Sequence, residues 1–137
     1  MKCYAVIDTN VLVSSLITRN MKSPVVRVIE LIIDGDVIPV YSDDTMKEYS
    51  EVLHRKKFKS AGENIDILLS VFKTYGIKRI PTKIEEEFND PKDLPFYEVT
   101  MDMQDEGAYL VTGNQKHFPL KPFIVTPRQF IEILEKL

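Results

Sequence analysis

Residues 2–10, Lys2 to Asn10 (KCYAVIDTN), decide how the rest of the chain is read. A run this short, rich in Tyr and Val and apolar up to Ile7, fits a central strand buried on both faces of a parallel sheet. It ends in Asp8-Thr9-Asn10, and Val11 to Ile17 follow with helical spacing. Asp8 therefore falls in a strand-to-helix turn, where open α/β sheets place their ligands. Asp is also a good N-cap for a following helix. Both readings of Asp8 stand on this stretch alone.

Further along, Ser23-Pro24 sets an N-cap before a proline at the first helical position. Val25, Val28, Ile29, Ile32 and Ile33 then recur at helical spacing, and Gly35 ends the pattern. Val37 to Tyr41 is a second strand, which Pro39 places near an edge because proline has no N–H for a ladder. Ser42 caps a helix over Asp43 to Leu53, Glu63 to Tyr75 forms another, and Ile77 to Ile80 is a short strand. Asp93 precedes a helix from Leu94 to Met103, with Pro95 in its first turn. Ala108 to Thr112 and Pro122 to Val125 are two more strands, and Thr126-Pro127 with Gln129 opens the last helix with a capping-box pattern. Alternating strands and helices with no linker or repeat predict one α/β domain over residues 1–137, built on a mainly parallel sheet.

The bulk properties narrow the function classes. A formal net charge of −3 does not fit a nucleic-acid-binding module held by charge alone. Nucleic acid stays open, because divalent cations held by clustered carboxylates cancel local negative charge. The single cysteine, Cys3, lies inside the first strand and reads as a small buried hydrophobe in a reducing compartment. The opening apolar run is too short for a signal peptide and no stretch reaches the length of a membrane span, so the expected location is cytoplasmic, away from membranes.

Three acids fall at or near the carboxyl ends of strands, or on helices that follow them: Asp8, Glu48 and Asp93. Asp44, Glu48 and Glu51 share a helical face, which a solvated acidic surface explains as readily as a site does. Asp93, like Asp8, is in position to cap a helix. The basic run from His54 to Lys59, with Arg55, Lys56 and Lys57, reads either as a solvated helix end or as a contact for a phosphate backbone. Converging carboxylates suit Mg2+ or Mn2+, hard cations that prefer oxygen ligands. Such a centre activates water for attack on a phosphodiester.

Four segments in this order resemble the PIN-domain ribonucleases, in particular the VapC-type toxins of prokaryotic toxin–antitoxin pairs. They are VIDTNVLVSSL, KEYSEVL with Glu48, DPKDLPFYEV with Asp93, and AYLVTGNQKHFP near the end. The resemblance implies a three-layer α/β/α fold and a Mg2+- or Mn2+-dependent endoribonuclease. It places Asp8, Glu48 and Asp93 at the family's acidic metal ligands, with Thr9 and Asn10 beside them. It also implies RNA as substrate, single-stranded or structured, an antitoxin protein as partner, and a homodimer.

Asn114 is a departure, falling where many members carry a further Asp, and a neutral amide is a poorer ligand for a hard cation. Asp90 either stands in as an accessory ligand or only forms the Asp90-Pro91 turn. His117 reads as a loop histidine or as a substrate contact. A receiver domain fits less well, since Lys121 precedes the last strand instead of following it, and a haloacid-dehalogenase phosphatase would need Asp at position 10. A PIN-like binding module that has lost catalysis is the alternative that Asn114 keeps open.

Overall fold

The computed structural model describes residues 3–55 and 62–137. Five strands run in chain order as β1 (Cys3–Ile7), β2 (Val37–Tyr41), β3 (Ile77–Lys78), β4 (Tyr109–Val111) and β5 (Ile124–Val125). They form one sheet in the order β3-β2-β1-β4-β5, and every neighbouring pair is parallel. The helices are α1 (Thr9–Ile17), α2 (Pro24–Asp34), α3 (Asp43–Leu53), α4 (Gly62–Tyr75), α5 (Leu94–Asp102) and α6 (Pro127–Glu135). This is the three-layer α/β/α architecture, with α2 against α1 and α6, and α3 against α4 and α5.

β1 is central because its side chains can be buried on both faces. Ala5, Val6 and Ile7 are fully buried, and they pair with β2 on one side and β4 on the other. The chain leaves β1 in one direction to lay down β2 and β3, then returns past it to lay down β4 and β5. The switch point therefore lies between the carboxyl ends of β1 and β4, where this class of sheet opens a crevice. Asp8 and Thr112, the residues just after those strands, flank it.

Local signals set most of the boundaries. Gly35 ends α2 at φ +86°, a left-handed conformation that favours glycine, and its N–H bonds back to Leu31 and Ile32. Ser42 and Thr45 form a reciprocal capping box on α3, as Thr126 and Gln129 do on α6.

Pro39 stands near an edge, as expected, in β2, which lies between β1 and the edge strand β3. The β2–β3 ladder starts only at Val40, so the donor that Pro39 lacks is not called upon. β3 ends at Lys78 instead of Ile80, and no helix among the described residues is long and apolar enough to cross a membrane.

Candidate metal centre

Asp8 has the backbone of an N-cap for α1, yet its side chain makes no capping hydrogen bond. It is 5 % exposed, and its Oδ2 accepts a hydrogen bond of 2.7 Å from Thr112 Oγ1 across the crevice. Asp93 departs from capping in the same way, with helical backbone and no side-chain bond to α5. A short 3-10 turn, Pro91–Asp93, leads directly into that helix and brings the Asp93 side chain to 14 % exposure. Helix capping, the plainer explanation for both acids, is therefore not what their side chains do.

Glu48 joins them from α3. Its Oε2 accepts from Thr9 Oγ1 at 2.5 Å, linking the start of α1 to the middle of α3. The acidic face expected on α3 is divided, since Asp44 turns away to pair with Lys83 at 3.0 Å. Tyr49, next to Glu48, is fully buried and donates its hydroxyl to the carbonyl of Ile7, the residue before Asp8. Burial, together with the charges of Asp8 and Glu48, pushes that hydroxyl well above its ordinary range, so it stays a donor.

Neighbouring carboxylates act on Asp8 and on Asp93. Burial raises Asp8 from 3.8 to about 6, opposed by the Thr112 hydrogen bond and reinforced by the charges of Asp93 and Glu48. Asp93 is also raised, first by burial and then by Asp90, with Glu48 adding to it. His117 Nδ1 lies 3.3 Å from Asp93 Oδ2, and its charge and hydrogen bonding oppose that rise. Asp93 Oδ2 is buried and, apart from this His117 contact, meets no polar partner among the described residues.

These features fit a divalent cation. The donors are all oxygen, the charges of Asp93 and Glu48 on Asp8 favour a positive charge between them, and the buried Asp93 Oδ2 is met only by His117. Among the described residues, no three His, Cys, Asp or Glu side chains are already gathered tightly enough to enclose an ion.

Around the acids, Asn10 Oδ1 accepts from the Gly113 N–H at 3.3 Å, and the Asn114 N–H donates to Thr112 Oγ1 at 3.0 Å. Thr112 thus sits between Asn114 and Asp8. Sequence reasoning missed it as a site residue, although its place at the end of β4, next to the switch point, was a usable signal. Asn114 is exposed at the mouth, with its backbone engaged. Asp90 is exposed and its Oδ1 accepts from the Lys92 N–H at 3.0 Å, so it does form the expected turn, while its charge still reaches Asp93. Arg55 is exposed just past α3, and Lys56 and Lys57 lie outside the described residues. A groove of about 560 Å³ between α2 and α6, lined by Arg27, Glu30, Arg128 and Glu132 among others, contains none of these acids.

An all-parallel β3-β2-β1-β4-β5 sheet with acids near its switch point is a doubly wound α/β fold with its ligand crevice at the carboxyl ends of the strands. A family model described as PIN domain matches residues 4–116, and the chain belongs to the PIN-domain family. PIN domains are generally nucleases that use divalent metals such as Mg2+. No curated protein and no solved structure matches the chain significantly.

Proposed function

We propose that residues 1–137 form a single PIN domain acting as a metal-dependent endoribonuclease. Asp8, Glu48 and Asp93 hold Mg2+ or Mn2+ at the carboxyl ends of the strands. The observation that carries this reading is the buried Oδ2 of Asp93, met only by the half-exposed His117, near an Asp8 whose pKa the charges of Asp93 and Glu48 raise. When bound, the cation supplies Lewis acidity and lowers the pKa of water for in-line attack on a phosphodiester.

The chain's own residues then have separable tasks. Thr112 orients Asp8 and Thr9 orients Glu48, the carboxylates that would hold the ion. Asn10 holds the Gly113 turn that brings Asn114 to the mouth. Asp90 adds negative charge beside Asp93 as an accessory. His117, half-exposed beside Asp93, and Arg55, Lys56 and Lys57 meet the phosphates of single-stranded or structured RNA. The likeness of the four segments to VapC-type toxins extends the reading to a cytoplasmic toxin that is homodimeric and is silenced by an antitoxin whose Arg pairs with the acids.

Asn114 favours a second reading, a PIN-like module that binds RNA or protein with weakened catalysis, because the mouth lacks one carboxylate. Purified protein incubated with mixed single-stranded RNA in Mn2+, Mg2+ or chelator separates the two. Cleavage that requires metal supports the nuclease. Tight RNA binding with no product at saturating Mn2+ supports the module instead.

A further inference from the structure

The geometry points to Tyr49 as the positioning residue that fixes the three acids relative to one another. This inference rests on the nuclease reading for its purpose, but not for its geometry.

The bond from Tyr49 to the Ile7 carbonyl exists because the sheet leaves that carbonyl free. β1 and β2 are in register from Cys3 with Val37 to Ala5 with Pro39. Continued by two residues, that register sets Ile7 level with Tyr41 and its carbonyl against the N–H of Ser42, the next donor in a parallel ladder. Ser42 gives its N–H to Thr45 Oγ1 instead, at 2.9 Å, in the capping box of α3. The cap that starts α3 therefore removes the ladder donor, and a side chain from the same helix replaces it one turn further on.

Tyr49 also packs against two further helices, of which α5 begins next to Asp93. Its ring packs edge-on against Phe72 of α4, with centroids 5.6 Å apart, and against Phe96 of α5 at 5.8 Å. Phe96 is three residues beyond Asp93, Tyr49 itself follows Glu48, and Ile7 precedes Asp8. One buried side chain thus joins the backbone supports of all three carboxylates. Its hydroxyl sets the distance between β1 and α3, which is the span that the Thr9–Glu48 hydrogen bond must bridge. The phenol is a positioning group with no contact to substrate.

The test uses Tyr49→Phe, which keeps the ring and removes the hydroxyl. Urea unfolding in chelator is measured for the parent, Tyr49→Phe, Thr9→Val and the double variant. If Tyr49 holds Glu48 against Thr9, Thr9→Val shifts the midpoint at least twice as far in the parent as in the Phe background. Equal shifts in both backgrounds overturn the inference. Mn2+ affinity, read by electron paramagnetic resonance, gives a second arm. Tyr49→Phe should bind about tenfold more weakly, while Ile32→Ala, a core change on α2 that also lowers stability, should bind as the parent does. Unchanged Mn2+ affinity in Tyr49→Phe likewise overturns it. A parent that binds no Mn2+ but shows coupled midpoints would refute the nuclease reading and leave the positioning role supported by the cycle.

Discussion

Thr112 Oγ1 donates to Asp8 Oδ2 at 2.7 Å, joining two residues 104 positions apart at the ends of adjacent central strands. That bond opposes the rise in the Asp8 pKa, and the Asn114 N–H in turn donates to the same hydroxyl. Thr112→Val should therefore leave the fold cooperative, raise Asp8 further and cut metal-dependent cleavage by about 10–100-fold. Single-turnover cleavage across pH checks this, the variant requiring more alkaline conditions for the same rate.

Asp8 also makes stability depend on pH when no metal is present. Its folded pKa of about 6 lies above the ordinary 3.8, so the fold favours the protonated form. The contribution is fully present below about pH 4 and is lost as pH rises through 6. Above that, ionising the buried group costs about 3 kcal/mol. In chelator the parent should melt higher at pH 5 than at pH 7.5 relative to Asp8→Asn, which lacks this dependence. Asp8→Asn should be the more stable of the two at pH 7.5 and inactive in cleavage.

Much of this arrangement was legible in the sequence, and the failures have physical causes. KCYAVIDTN identified a buried central strand because only a strand covered on both faces is apolar without alternation. The caps at Ser42, Thr126 and Gly35 were read correctly because they depend on neighbours within four residues. Pro39 placed β2 near an edge, but which neighbour tolerates it depends on where the β3 ladder begins, a tertiary fact. The sequence left helix capping open for Asp8 and Asp93, and only the side-chain geometry shows that neither makes a capping bond. Thr112 and Tyr49 were missed as site residues because their partners lie 104 and 42 residues away.

Asn114→Asp tests the departure at the mouth directly. A fourth carboxylate beside Thr112 should tighten Mn2+ binding about tenfold, raise cleavage, and lower melting in chelator through added repulsion. Calorimetric titration of Mn2+ into parent and variant measures it. If the parent is a weakened module, this one change should restore turnover.

A different buried acid should affect stability alone. Glu98 is 3 % exposed and its Oε2 accepts from the Ile84 N–H at 2.7 Å, pinning the connection between β3 and α5. Glu98→Ala should cost about 1–3 kcal/mol by leaving that donor without its partner. Glu98→Gln keeps an acceptor and should cost much less. Denaturant unfolding of both, with Mn2+ affinity unchanged in Glu98→Gln, checks the assignment.

Cleavage of single-stranded RNA by the parent and by Asp93→Asn, in Mn2+ and in chelator, tests the central claim most directly. Three carboxylates converging on one cation predict that the parent cuts only with metal. They also predict that Asp93→Asn, folded to the same cooperative transition, loses at least about 100-fold in rate. Cleavage that persists in chelator, or an Asp93→Asn variant that cuts as fast as the parent, would contradict the account.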